Sequence, residues 1–489
     1  MARTKTQKKE ILDKVENIIK DSETIVFVNF HGLKVGDAVI IRRKLRKEGI
    51  GFFVAKKSLT DKAISENQSK KISGTMPELI GELGLVYGKD LISPAREIYQ
   101  FKNNVSILGG IFGDKFMTKE KENVLVSGGA GFIGSNLVDE LIRRGYRVRV
   151  LDSLAPPVHN GRLPECFNKK AEFIKGDVRN KKDWVQALKG VRYVFHLAAY
   201  MDYQMDFSTY FTTNTASTAL MYEVIMEKKY PVTKIVVASS QAVYGEGKYR
   251  CGKHGIVYPS SRPQTQLKRH QWDVRCPYDK KEVLPLAQKE DDALFPTIPY
   301  GISKKTLEEI MWDLGRRYNI PSVALRYTIV HGPYQSFRHF YSGALRQLAV
   351  MALAGHELIM HEDGNQLRDY VHIDDVVSAH LAVLKSQKAN FQAFNVGSGR
   401  PTRVMDLARV VAKVTGREFR PNLPGLYRVG APRHSITDVS KLKKLGWKPR
   451  HALEDNVRGY VEWIKHYPEA KKYLGATIKK MEKTKMLMK

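Results

Sequence analysis

Tyr300 and Lys304 stand four residues apart at the head of SKKTLEEIMWDL, a run with helical apolar spacing, so their side chains share one face. A free phenol has a pKa near 10 and is a poor base at neutral pH. An ammonium beside it favours the phenolate, and a shift of ~3 units needs ~4 kcal/mol of differential interaction. Ser240 ends an apolar run, Val236-Val-Ala-Ser-Ser240, about 60 residues earlier. Tyr-x-x-x-Lys alone is commonly a plain helix pair. Behind a serine-ended strand of a dinucleotide-binding fold, it reads as catalytic.

That scaffold is written upstream. After the strand Val124–Val126, Gly128, Gly131 and Gly134 recur every third residue and open the amphipathic helix SNLVDELIRRG. The first glycine permits a tight turn, the second lets backbone approach a pyrophosphate, and the third lets helix pack on strand. The helix start, with Phe132 and Ile133, directs N–H dipoles at the phosphates. Asp152 ends the next strand, YRVRVLD, where a carboxylate suits a ribose 2′-hydroxyl and repels a 2′-phosphate. The cofactor expected is therefore NAD. Asp177 and Val178 are placed to hold the adenine end, and Ala198 lies in the turn closing another strand. The expected class is α/β: a Rossmann-type doubly wound parallel sheet with a smaller C-terminal substrate-binding lobe.

Residues 123–465 resemble the extended short-chain dehydrogenase/reductase family, specifically its nucleotide-sugar epimerases and dehydratases. The resemblance is carried by the motifs above and by Arg326-Tyr327, Gly332-Pro333, Asp363-Gly364, Arg368-Asp-Tyr-Val-His372, Asn395-Val-Gly-Ser-Gly399 and Leu445-Gly-Trp447. It implies that Ser240, Tyr300 and Lys304 are the catalytic set and that Tyr300 and Lys304 also touch the cofactor. Tyr300 would take the proton of the sugar 4-hydroxyl while carbon 4 gives its hydride to NAD⁺. The 4,6-dehydratases carry an Asp-Glu pair after the serine or threonine. Gln241 and Ala242 stand there and cannot transfer protons, so an NAD-dependent nucleotide-sugar 4-epimerase is expected. SSQAVYGEGKYRCGKHG and YRVGAPRH434 are similar to the dTDP-rhamnose 4-epimerase branch, and a homodimer is common in the family. Arg368 and Arg433 are the candidates for gripping the diphosphate in bidentate geometry.

Two departures stand out. Where relatives place an asparagine against the substrate, this chain reads Thr-Ile329-Val-His331-Gly-Pro, and one substrate hydrogen bond is expected to be missing. Cys251-x-x-His254 and Cys276-x-x-Asp279 have paired spacing that suits zinc, but with aspartate in the last place the expectation is a stapled loop and no metal.

A different unit precedes the enzyme. Residues 8–20 have helical spacing, 24–30 read as a strand, and Asp37 is placed to cap a helix that Gly49 ends. A strand at 50–55, a helix at 58–66, a strand at 84–88, a helix at 93–103 and a strand at 105–112 complete a small α/β layer. Its basic excess lies in its first half: Arg3, Lys5, Lys8 and Lys9 form an arm, Arg43 sits in a basic helix, and Lys56 and Lys57 stand where a strand turns into a helix. A solvated helix face is the plain alternative. ETIVFVNFHGLKVGDAVIIRRKLRKEGIGFFVAKKSLTDKAI and VSILGGIFGDKFM resemble the N-terminal domain of the L-ten family of ribosomal stalk-base proteins, which implies binding of large-subunit ribosomal RNA by shape and backbone contacts. No helices for stalk proteins follow in this chain.

The expected division is 1–118 for the RNA-binding domain, 119–122 for a linker, 123–468 for the enzyme and 469–489 for a basic tail. A net charge of +30 suits a polyanionic partner, and three cysteines fit a reducing cytosol. No apolar run long enough for a membrane span is evident, so a cytoplasmic location is expected. The alternative function is a ribosomal protein whose enzyme half is incidental, or two neighbouring reading frames merged near Met117 by a gene-model error.

Overall fold

Thr24–Asn29 is rich in β-branched and aromatic residues, and both of its faces are apolar, so the strand must be covered on each side. In a computed structural model it is. Residues 5–33, 35–67, 70–79, 81–102, 104–118, 122–202, 206–338, 343–473 and 487–488 are described, in two units, Met1–Lys121 and Glu122–Lys489.

The first unit runs α1 (Lys5–Asp21), β1 (Thr24–Asn29), α2 (Val35–Lys47), β2 (Gly51–Val54), α3 (Lys57–Ser65), β3 (Leu83–Gly88), α4 (Ser93–Tyr99), β4 (Ser106–Phe112) and β5 (Lys115–Thr118). Its antiparallel sheet has the order β2-β3-β1-β4-β5. Ile25 and Phe27 face one core with Val15 and Ile19 of α1 and Ala63 of α3. Val26 and Val28 face the other, with Ile41 and Leu45 of α2 and Ile98 of α4. Helix α2 starts at Val35, so Asp37 lies in its first turn and is not its cap, where its charge still suits the positive end of the helix dipole. Strand β5 extends the sheet into residues 115–118, where the sequence offers only a short alternating run. Arg3 and residues 119–121 of the expected linker lie outside the described residues.

The second unit begins with β6 (Asn123–Ser127), α5 (Phe132–Arg143), β7 (Arg147–Asp152), β8 (Glu172–Lys175), α6 (Lys181–Ala187) and β9 (Tyr193–His196). Next, α7 (Phe207–Tyr210) passes through a π-helical turn, Phe211–Ala216, into α8 (Ser217–Glu227), and β10 (Lys234–Ser240) follows. The seven-stranded sheet is parallel, and its order places Gln392–Val396, Ser322–Tyr327, β10, β9, β6, β7 and β8 side by side. Alternation again serves two cores: Val124, Val126 and Val236 pack with α5 and Ile373–Lys385, while Leu125, Ile235 and Val237 pack with α6, α8 and Pro299–Arg317. A third core joins the helices Gly343–Ala354, Val404–Thr415 and Leu453–Ile464 into the smaller lobe. The tail is not wholly solvated, since Leu487–Met488 pairs with Tyr427–Arg428 through backbone hydrogen bonds that side-chain charge does not prevent. No helix among the described residues is long and apolar enough to cross a membrane.

Each unit has its own cores, so residues 1–121 and 122–489 expressed separately should each unfold cooperatively. Thermal denaturation checks this, and a piece without a cooperative transition would contradict it.

Candidate active site

In an open parallel sheet the crevice outside the carboxyl ends of the strands receives ligands. The glycine loop follows β6, Asp152 ends β7, Asp177 follows β8, Ala198 follows β9 and Ser240 ends β10, so every expected cofactor residue outside the catalytic helix lies along that edge.

The three glycines differ in what they require. Gly128 has φ +72°, and a Cβ on it would lie 2.7 Å from the backbone nitrogen of Ala198. A Cβ on Gly134 would lie 2.2 Å from the Gly128 carbonyl oxygen, so the helix reaches the strand only because that atom is missing. Gly131 has an ordinary φ of −76° and would meet only the Gly128 carbonyl, at 3.3 Å. Its φ is one any residue adopts and it is the least crowded of the three, so its bare face leaves room for a ligand. The N-terminus of α5 carries no side-chain cap. Asp152 accepts the Ala130 N–H with Oδ2 (3.0 Å) and the Leu154 N–H with Oδ1 (2.9 Å), which fixes the carboxylate and leaves lone pairs for a ribose. The residues present fit NAD. Asp177 is held by Arg179 at 2.6 Å, whose hydrogen bonds keep its carboxyl below the usual range, and Val178 is buried beside it.

The helix Pro299–Arg317 carries Tyr300 and Lys304. Lys304 is 1% exposed and donates to the Ala238 carbonyl of β10 at 2.7 Å. Burial pulls its pKa down to about 7, partly opposed by Glu308. Its Nζ lies 5.9 Å from the centre of the Tyr300 ring. Ser240 is nearly buried, and its Oγ accepts the Ala242 N–H at 3.2 Å, aligning it at the strand end. His196 bridges Ser127 (2.7 Å) and Ser217 (3.1 Å), and burial, helped by Lys304, drops its pKa to about 3, so it is neutral.

Residues that sequence reading passed over position this set. Asn214, fully buried in the π-helical turn, binds the Tyr200 carbonyl and amide and donates to Ser303 Oγ at 3.0 Å. Ser303 in turn donates to the Tyr300 carbonyl at 2.8 Å, and Thr215 donates to the Ser303 carbonyl at 3.0 Å. The wide turn thus aims two polar side chains at the catalytic helix; helical periodicity carries no sign of such a turn. Below it, Glu308 pairs with Arg326 at 2.7 Å and accepts from Ser239, while Arg326 also donates to Tyr244, whose hydroxyl donates to Asn395. Other motifs are braces: Asp369 accepts from Ser398, Gly399 and Thr437, and Trp447 donates to the Asp375 carbonyl.

The substrate side holds one correction. The guanidinium of Arg433 is 2% exposed and committed to Asp273 (3.0 Å), Glu362 (2.9 Å) and Asp363 (2.7 Å), so the free cation expected for a diphosphate is not there. Among the described residues Arg368 donates to the carbonyls of Leu367, Pro432 and Arg433, and no carboxylate is hydrogen-bonded to it, though Glu362 and Glu246 act on it electrostatically. Gln241 accepts from Ser435 at 2.8 Å. Ile329 packs against the smaller lobe, and His331, buried and stacked on Tyr370 at 5.0 Å, has its pKa pushed down to about 3 by burial.

In the first unit the expected RNA contacts do not share one face. Lys8 and Lys9 of α1 and Lys56 and Lys57 at the head of α3 belong to the side of the sheet covered by α1 and α3, whereas Arg43 lies on α2 across the sheet. Lys5 lies in the first turn of α1. Lys56 and Lys57 are exposed at a cavity of about 710 Å³, also lined by Phe30, Ser58, Asp61 and Glu82.

Comparison with known proteins separates the two units. The NAD dependent epimerase/dehydratase family model matches residues 124–266 and 273–397, and the ribosomal protein L10 model matches residues 3–103. A dTDP-L-rhamnose 4-epimerase of Burkholderia thailandensis is 33% identical over 70% of this chain and 95% of its own length. A putative UDP-glucose 4-epimerase of Methanocaldococcus jannaschii is 31% identical over 70% and 98%. Among solved structures, UDP-glucose 4-epimerase of Thermotoga maritima with UDP-glucose aligns with TM-score 0.55 and 31% identity over 70% of this chain and 99% of that one. UDP-glucuronic acid 4-epimerase of Bacillus cereus, with UDP-glucuronic acid and NAD, aligns with TM-score 0.57 and 26% identity over 70% and 99%.

Because Lys304 has a pKa of about 7 when folded against 10.5 ordinarily, the unfolded chain binds the extra proton between those values. Stability from this group is therefore lowest at and below about pH 7 and rises toward 10.5, at up to roughly 1.4 kcal/mol per pH unit. Lys304→Met should remove that rise from the melting temperature measured against pH; identical pH slopes in both proteins would contradict the burial of an ionisable amine.

Proposed function

Since the chain belongs to the NAD dependent epimerase/dehydratase family and is a nucleotide-sugar epimerase of that NAD-using group, we propose that it inverts carbon 4 of a nucleotide-linked sugar, with dTDP-rhamnose-type sugars as the substrate class. The observation that supports carbon 4 chemistry best is the bond of Lys304 to Ala238 in β10, the strand that Ser240 ends, with Tyr300 one turn before Lys304 on the same helix and Gln241 tied to Ser435 where a dehydratase needs an acid.

NAD, when bound, takes up and returns the hydrogen of sugar carbon 4. Tyr300 Oη accepts the 4-hydroxyl proton as the carbon–oxygen double bond forms and hands it back when the sugar is reduced on its other face. Ser240 Oγ donates to the same oxygen and holds it at the end of β10. Lys304 supplies positive charge that favours the phenolate, and its bond to Ala238 fixes where that charge sits. Arg368 grips the diphosphate while the sugar turns over. With Ile329 in the adjoining strand, one polar contact on the sugar is absent, which eases that turning and loosens selection between sugars.

Tyr300→Phe should lower interconversion of 4-epimeric dTDP or UDP sugars by about 10²- to 10⁴-fold while NAD stays bound. Product ratios followed by NMR measure this, and a wild-type rate in the variant would remove Tyr300 from the mechanism.

For the first unit we propose binding to the stalk-base segment of large-subunit ribosomal RNA, supported by the match at residues 3–103 and by the exposed Lys56 and Lys57. Each phosphate contact contributes ~0.7–0.9 to the slope of log K against log salt. Lys56→Glu with Lys57→Glu should weaken binding and reduce that slope by about 1.4 to 1.8. A filter-binding salt titration reads it out; an unchanged slope would refute a phosphate role for this corner.

A further inference from the structure

The insert after Gly245 has a small apolar core of its own. Its strands Lys248–Cys251, Gly255–Val257 and Leu284–Leu286 form a three-stranded sheet, and its buried core is only Tyr249, Cys251, Val257, Val274 and Cys276. Clusters this small ordinarily need a staple.

Two matching turns meet inside it. In the first, the backbone N–H groups of His254 and Lys253 point at the Cys251 sulfur, and Gly255 follows with φ +67°. In the second, those of Asp279 and Tyr278 point at the Cys276 sulfur, and Lys280 follows with φ +61°. A left-handed residue directly after the second polar side chain is costly for lysine, so the turn is imposed by something beyond local preference.

The four end groups converge. His254 Nδ1 lies 3.4 Å from both Cys251 Sγ and Cys276 Sγ, and Asp279 Oδ2 lies 4.0 Å from Cys251 Sγ and 3.7 Å from His254 Nδ1. All four ligand atoms lie within 4.8 Å of one another. A tetrahedral ion with bonds of ~2.0 Å to nitrogen or oxygen and ~2.3 Å to sulfur requires edges of roughly 3.3–3.8 Å. The other carboxylate oxygen of Asp279 accepts the Lys281 N–H at 3.1 Å, which orients the ligand oxygen inward. Both cysteines are free and buried.

We propose that Cys251, His254, Cys276 and Asp279 bind one zinc ion as a closed structural site. Where aspartate in the last place suggests a loop without metal, its Oδ2 lies 3.7 Å from His254 Nδ1 and 4.0 Å from Cys251 Sγ, so a shift of a few tenths of an ångström would make it the fourth ligand. Binding displaces the thiol protons, and four protein ligands leave no open position for substrate. The site is independent of the 4-epimerase reading. Its consequence for the enzyme runs through Asp273, three residues before Cys276, which pairs with Arg433 beside Arg368.

The test is elemental analysis of the untagged full chain together with cobalt substitution. About one zinc per chain is expected, falling below about a tenth in Cys251→Ser with Cys276→Ser, and retained in Asp279→Cys. Cobalt in the wild-type chain should give tetrahedral d–d bands and a thiolate charge-transfer band, which decides the matter even if the serine variant fails to fold. A zinc-supplemented chain without zinc and without the cobalt–thiolate band would overturn the proposal. So would a Cys251–Cys276 disulfide found by mass spectrometry, or equal zinc in the double serine variant.

Discussion

An ammonium without a full counter-ion sits at the centre of the second unit. Lys304 is buried, bonded to one backbone carbonyl, and its nearest carboxylate, Glu308, is already engaged by Arg326. Burial pulls its pKa down to about 7, and its Nζ lies 5.9 Å from the centre of the ring of Tyr300, one turn away on the same helix. The candidate site is built around keeping those two groups in register. Asn214 and Thr215 hold the catalytic helix through Ser303, and the Glu308–Arg326 pair ties the same helix to the sheet. Breaking a buried pair of this kind costs about 3–5 kcal/mol, which makes the network a rigid frame.

The layers serve that frame. Parallel strands covered on both faces place every carboxyl end along one edge, and the glycine loop, Asp152 and Ser240 arrive there because each ends a strand. The smaller lobe contributes Arg368 from a strand whose next residue, Asp369, is a brace holding the loop at Ser398 and Gly399. The two sit side by side in one motif: a guanidinium held by backbone carbonyls, then a carboxylate saturated by its own chain.

Much of this was readable from residue order. Glycine spacing, a strand-ending acid and Tyr-x-x-x-Lys report local geometry, and local geometry is what sequence periodicity encodes. Arg433 was not readable in this way, because its partners Asp273, Glu362 and Asp363 converge on it only in the folded chain. The π-helical turn was hidden for a related reason, since one extra residue in a helix changes no composition. Of the basic residues in the first unit, charge alone could not say that Arg43 would lie across the sheet from Lys56 and Lys57. The zinc ligands were visible as a pattern, but the two matching turns that aim them came only with the backbone.

The central claim is that one tyrosine and a returned hydrogen suffice to invert carbon 4. A nucleotide sugar carrying deuterium on carbon 4 tests it most directly. The account requires that the epimer retain deuterium at carbon 4 when the reaction runs in ordinary water. Loss of the label to solvent, or failure of the holoenzyme to form any 4-epimer, would contradict it.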